Sequence, residues 1–212
     1  MEDITFTLPH PCTININGST GVGKTFLTFD IIKKRKELFS EPIDAVTYVY
    51  SEFQPKFYEL GDDVTFTNDL YDIAKIQNGP HLIILDDIQV DLASDKQKRE
   101  FVTNLFLRGS HHRSISVILI CQNPFTKGLR DINLNTQCLI LYDYVRDRSV
   151  MSHIARQVCP GKSKFLQDAY IDAVTRSEYG YLVMTFHPQL KKFKYWVKNS
   201  LFLTPETVVY AE

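Results

Sequence analysis

The chain has 212 residues, of which 44% are hydrophobic and 23% charged, with a net charge of −1. Residues 1–212 therefore read as a single domain with a large core and ordinary globular composition. The charge excludes a strongly basic nucleic-acid coat, so any DNA contact has to be local or summed from a few basic groups over several subunits.

The start of the chain, Met1-Glu2-Asp3, is acidic and lacks the basic-then-apolar layout of a signal peptide. The longest apolar runs, such as residues 117–121, are far too short to span a bilayer. A protein of the cytosol or nucleus is expected. Residues 4–8 alternate and read as an edge strand, which Pro9 and Pro11 break. Residues 13–16 read as a short β-branched strand, and apolar spacing over 26–39 predicts a helix ending in a basic turn, Lys33 to Lys36.

Between that strand and helix lies Gly18-Ser19-Thr20-Gly21-Val22-Gly23-Lys24-Thr25, a full phosphate-binding P-loop pattern. Its glycines allow backbone angles closed to other residues and a close approach to a ligand. The loop amides and the helix N-terminus then point at an anion. In this pattern Lys24 reaches the β- and γ-phosphates and the Thr25 hydroxyl ligates Mg²⁺. Residues 18–25, with Phe26 beside them, form the expected ATP site.

Beyond Pro42, residues 45–51 read as a buried strand leading to Glu52, residues 64–66 as a short extended piece, and residues 69–76 as a helix. The run His81-Leu82-Ile83-Ile84-Leu85-Asp86-Asp87 is a Walker B pattern: a buried strand delivers two carboxylates to the edge where α/β sites form. Asp86 is placed as a Mg²⁺ ligand through water, and Asp87 as the base that accepts a proton from the attacking water. Residues 95–107 read as an amphipathic helix with Phe101, Leu105 and Val102 facing in, and residues 108–113 as a turn. The strand 115–121 delivers Gln122 to the same edge, where an amide senses the γ-phosphate or orients water. The adjacent His111 and His112 point apart on any regular element and lack a metal-ligand pattern.

A strand over 138–142 follows, then helices from Ser149 to about Val158 and over 165–175. Residues 179–186, 187–190 and 191–197 read as strand, turn and returning strand. Lys191, Lys192, Lys194 and Lys198 around Phe193, Tyr195 and Trp196 suit either DNA contact or a charged edge that resists aggregation. The four cysteines, widely spaced, read as buried free thiols rather than a zinc set.

With these stretches placed, the chain resembles the FtsK/HerA-superfamily ATPases, and among them the genome-packaging ATPases of polinton-type and pox-like DNA viruses. The resemblance rests on residues 18–25, 50–55, 85–87, the block 110–117 running into Gln122-Asn123-Pro124-Phe125, residues 130–135 and the 179–182 strand. It implies a three-layer RecA-like (ASCE) α/β P-loop NTPase fold. The central sheet would be mostly parallel, with helices on both faces, the sensor strand between the P-loop and Walker B strands, and a C-terminal antiparallel hairpin. It also implies a homo-oligomeric ring of six or five subunits that uses ATP and Mg²⁺ to pump double-stranded DNA into a capsid at its portal vertex, in the host cytoplasm or nucleus. A neighbour's arginine would enter each site, from Arg130, Arg113 or Arg108. Two departures stand out. The superfamily base is commonly Glu but this position is Asp87, which makes Glu52 a rival base. Relatives often carry arginine where this chain has Ser110. The alternative readings are a nucleotide kinase-like enzyme and an ATP-gated capsid-assembly scaffold.

Overall fold

Strands that are apolar on both faces have to be covered on both, and the sheet is built that way. The computed structural model describes residues 6–187 and 196–211. Its strands are β1 (Thr13–Asn17), β2 (Ala45–Tyr50), β3 (Val64–Thr67), β4 (His81–Asp86), β5 (Ile115–Cys121), β6 (Cys138–Tyr142), β7 (Tyr181–Thr185) and β8 (Val197–Lys198). The helices are α1 (Lys24–Lys33), α2 (Arg35–Leu38), α3 (Gln89–Ser94), α4 (Lys96–Asn104), α5 (Ser110–Arg113), α6 (Arg130–Leu134), α7 (Ser149–Val158) and α8 (Ser163–Thr175).

The strands lie in the order β3-β2-β4-β5-β1-β6-β7-β8. All pairs from β3 to β6 are parallel, and β6-β7 and β7-β8 are antiparallel. The sensor strand β5 thus lies between the P-loop strand β1 and the Walker B strand β4, as expected. Register sets the strand ends level: Asn17 pairs with Cys121, and Asp86 pairs with Tyr50 and Ile120.

Alternation along single strands divides the core into layers. Leu82, Ile84, Ile118 and Ile120 pack with Leu27, Phe29 and Ile31 of α1 on one face. Ile83, Leu85, Val117 and Leu119 pack with Val102, Leu105 and Phe106 on the other. Leu141, Leu182 and Met184 pack with α7 and α8 through Met151, Ile154, Leu166 and Tyr170. The result is the RecA-like three-layer α/β fold, with an antiparallel C-terminal margin.

Several local expectations change. Phe6 and Thr7 are not strand, and Leu8 makes an isolated parallel bridge to Phe39 instead of joining the sheet. Residues 4 and 5 lie outside the described residues. The helix over 26–39 starts at Lys24 and breaks at Lys34 into α2. Arg35 is then not part of a solvated basic turn. It is buried, donates to the carbonyls of Ile32, Ile43 and Asp44, and pairs with Asp63. The helix over 69–76 is a 3₁₀ segment, Leu70–Lys75, capped by Asp69.

The turn over 108–113 is helical. A π segment, Leu105–Gly109, carries α4 into α5, and helicity stops only at Ser114, at φ 54°. Gly109 adopts helical angles there, and continuity keeps Leu105, Phe106 and Ser110 buried. The turn and returning strand placed over 187–197 fall mostly outside the described residues, but Val197 does pair with Met184. Lys198 cannot touch DNA: it is fully buried, with its ammonium over the Phe6 ring, and burial pulls it down to about 7.

Removing Arg35 strands three carbonyls, whereas its partner Asp63 has a half-exposed side chain. Arg35→Ala should destabilise the fold by about 2–4 kcal/mol in urea unfolding, and Asp63→Ala by less than about 1 kcal/mol.

Candidate nucleotide-binding site

The loop between β1 and α1 is shaped by two tyrosines. At Gly18 (φ 156°) a Cβ would lie 2.5 Å from Cβ of Tyr142, and at Gly23 (φ 99°) one would lie 2.8 Å from the Tyr179 ring. Glycine is required at both positions. The Tyr142 hydroxyl donates to the Gly23 carbonyl (3.4 Å), and Ser19 N–H donates to the Asp143 carbonyl (3.2 Å). The Val22 side chain packs into the core beneath the loop. The backbone of the loop is therefore fixed from below and from the side, and α1 opens at Lys24 directly after it.

The mouth of the loop faces a cleft of about 220 Å³. Thr20, Gly21, Gly23, Lys24, Thr25 and Phe26 form one wall; Asp86, Asp87 and Gln122 form another; Gln54 and Lys56 close the far side. The strand ends of β1, β4 and β5 thus deliver the predicted groups to one place. Ser19 faces an adjoining cavity. Glu52 is exposed in the loop after β2 and does not line the cleft.

The Lys24 ammonium donates to the Gly18 and Ser19 carbonyls, both at 2.7 Å. Burial lowers its pKa, against the raising influence of Cys121, Asp86 and Asp87. Asp86 is buried and accepts a hydrogen bond from the Tyr48 hydroxyl at 2.6 Å. Burial raises its carboxyl above the ordinary range, with the Tyr48 bond and Lys24 pulling down and Asp87 pushing up. Consecutive strand residues point to opposite faces. Asp87, however, takes a left-handed turn at φ 55°, and both acids reach the same cleft.

Two supports were not visible in the sequence patterns. Tyr48, on β2, holds Asp86 from a strand away. Gln89, at the start of α3, donates to Asp87 Oδ1 (3.3 Å) and accepts from Gln122 N–H (2.8 Å), joining the second acid to the sensor position. A buried polar residue inside an apolar strand run, as at Tyr48, is a signal for the first; nothing in the local sequence marks the second.

The donor set suits a hard cation. Mg²⁺ takes one or two carboxylates with substrate phosphates and water, and a hydroxyl at Thr25 with a carboxylate at Asp86 matches that demand. Among the described residues, no group of three or more His, Cys, Asp or Glu side chains forms a metal cluster. The three candidate arginines lie away from the cleft. Arg113 donates to the carbonyls of Ile73 and Ile76. Arg130 opens α6 beside Arg99 and Glu100. Arg108 is exposed on the π segment. Among the described residues, no helix is long and apolar enough to cross a membrane.

No protein-family model matches the chain, and no curated protein matches its sequence. Solved structures do match its fold. The DNA-packaging ATPase B204 of Sulfolobus turreted icosahedral virus superposes with a TM-score of 0.59 at 14% identity, over 83% of this chain and 93% of that one. The genome-packaging NTPase B204 of Sulfolobus turreted icosahedral virus 2 gives 0.55 at 13% in complex with ATP-γS, over 84% and 94%. The same NTPase gives 0.58 at 14% in complex with AMP, over 83% and 93%. At these identities the likeness is one of fold, and it places this chain among proteins with the RecA-like P-loop NTPase architecture.

Asp86 binds protons more readily folded than unfolded, so the folded state loses stability as pH rises through its elevated pKa. Asp86→Asn should therefore be more stable than wild type at pH 7 in urea unfolding. The gain should vanish as pH falls below the ordinary carboxylate range.

Proposed function

We propose that this chain is an ATPase that drives double-stranded DNA into a viral capsid. The observation that carries the reading is convergence: three neighbouring strand ends bring a phosphate cradle, two aspartates and a glutamine into one cleft. The fold shared with a DNA-packaging ATPase supports the cellular task.

In this reading the loop amides of residues 18–25 and Lys24 bind the phosphates. Phe26 and Tyr179, both exposed with rings 5.9 Å apart, offer the base a stacking face where the phosphate chain leaves the loop. Thr25 and Asp86 would hold Mg²⁺, whose positive charge would offset the negative charge of the phosphates. Asp87 accepts the proton of the attacking water; its place in the cleft favours it over Glu52. The Gln122 amide meets the terminal phosphate, and Gln89 links it to Asp87.

The chain works as a ring of six or five subunits at the capsid's portal vertex, in the host cytoplasm or nucleus where virions assemble. A neighbour's arginine completes each site. Arg113 is committed to its own backbone, which leaves Arg108 and Arg130 for that task.

Phosphate release measured with and without duplex DNA tests the assignment. Stimulation by DNA is expected, whereas phosphoryl transfer to a nucleoside monophosphate would make the chain a kinase, and binding without turnover a scaffold. Lys24→Ala should abolish hydrolysis. Asp87→Asn should keep ATP binding and lose at least about a hundredfold in turnover; undiminished turnover would move the base to Glu52.

A further inference from the structure

A second cavity, of about 530 Å³, adjoins the cleft and has no part in the mechanism above. Thr20 and Gln122 line both spaces and so form their common wall. Lys24 Nζ rests on the Gly18 and Ser19 carbonyls, and the P-loop lysine marks the β- and γ-phosphates. The terminal phosphate of a bound nucleotide would therefore end at the common wall, with Asp86 and Asp87 on one flank and the second cavity on the other.

Among the described residues, that cavity carries one cation, Arg146. The carboxylate beside it, Asp147, is turned to Ser149, accepting from its N–H (3.1 Å) and its hydroxyl (2.5 Å). The segment leading to Arg146 is anchored. The Tyr170 hydroxyl accepts from Tyr144 N–H (3.1 Å) and donates to the Tyr142 carbonyl (3.0 Å), while the Asp143 carbonyl receives Ser19 N–H of the loop itself. Tyr144 also lines the cavity. The residue is 5% exposed, and among the described residues its hydroxyl, closed off from solvent, has no hydrogen-bond partner. A guanidinium at the mouth of a space that shares a wall with the cleft suits a phosphoryl oxygen.

We propose that Arg146 is a catalytic residue acting in its own subunit, binding the terminal phosphate of the nucleoside triphosphate from the side opposite Asp86 and Asp87. The inference rests on the nucleotide-site reading of the cleft. In hydrolysis the water oxygen bonds to the γ-phosphorus, the bond to the ADP oxygen breaks, and the water proton passes to the carboxylate base. Arg146 balances the negative charge on the γ-oxygens as this happens.

The test compares binding of a non-hydrolysable ATP analogue and of ADP to wild type, Arg146→Ala and Arg146→Lys, with turnover measured alongside. Arg146 is exposed, so the variants should fold. Arg146→Ala should lose about tenfold in analogue affinity with ADP affinity unchanged, and about a hundredfold in kcat. Arg146→Lys should recover analogue affinity more than kcat, because an ammonium lacks the two-pronged geometry. Equal weakening of analogue and ADP, or no change in either, would overturn the proposal. Mixing Arg146→Ala with Lys24→Ala subunits should restore no activity; rescue would show that the arginine serves a neighbour. Failure of wild type to bind either nucleotide would overturn the nucleotide-site reading itself, a result distinct from any specific to Arg146.

Discussion

A buried carboxylate and a half-buried ammonium share the floor of one cleft, and much of the architecture serves to keep them there. Desolvation acts on both against their charges, lifting Asp86 and lowering Lys24, while each charge draws the other back. An isolated ion moved out of water costs several kcal/mol, so such groups persist only with partners. Tyr48 supplies one to Asp86, and the Gly18 and Ser19 carbonyls supply two to Lys24. The strands that carry these partners are held in register by parallel ladders, in which β4 and β5 are mostly apolar while β1 alternates Ile14 and Ile16 with the buried polar Thr13, Asn15 and Asn17. The hydrophobic layers on either side of the sheet therefore hold this polar geometry in place.

The same layering explains where the chemistry can and cannot go. A parallel sheet covered on both faces has only its edges left for ligands, and the carboxyl edge is where loops meet helix N-termini. Here β1, β4 and β5 lie side by side, so three loops open on a common space. Antiparallel β7 and β8 extend the sheet beyond β6, and β7 begins next to the end of β6, with Tyr181 paired to Tyr142. That reversal is what lets Tyr179 stand against Gly23.

Much of the site was legible because its chemistry is written in short contiguous runs. The P-loop, the paired aspartates and the glutamine after a buried strand each declare themselves within a few residues, and apolar strand runs place them on one edge. What the sequence hides is set by register between distant strands. Tyr48 and Asp86 are 38 positions apart, and Gln89 and Gln122 are 33 apart. Neither pairing has a local pattern. The arginines show the reverse failure: Arg35 reads as part of a basic helix turn and Arg113 as a candidate finger, yet their guanidiniums satisfy backbone carbonyls of their own chain. The run from Arg108 to Arg113 misleads for a third reason. Glycine and serine are turn signals on average, but burying Leu105, Phe106 and Ser110 outweighs that local preference.

The close packing of Tyr142 and Tyr179 against Gly18 and Gly23 has a consequence for how recognition proceeds. Fixing a backbone residue in one conformation costs about 1–2 kcal/mol, and a loose loop would have to meet that cost at the moment of association. Here the fold has met it already, since the two tyrosines, the Gly23 carbonyl and the Ser19 amide hold the loop in shape. An incoming anion finds a finished mould. Its capture is then governed by encounter and charge, and the free energy of contact remains to be spent on later steps of the cycle.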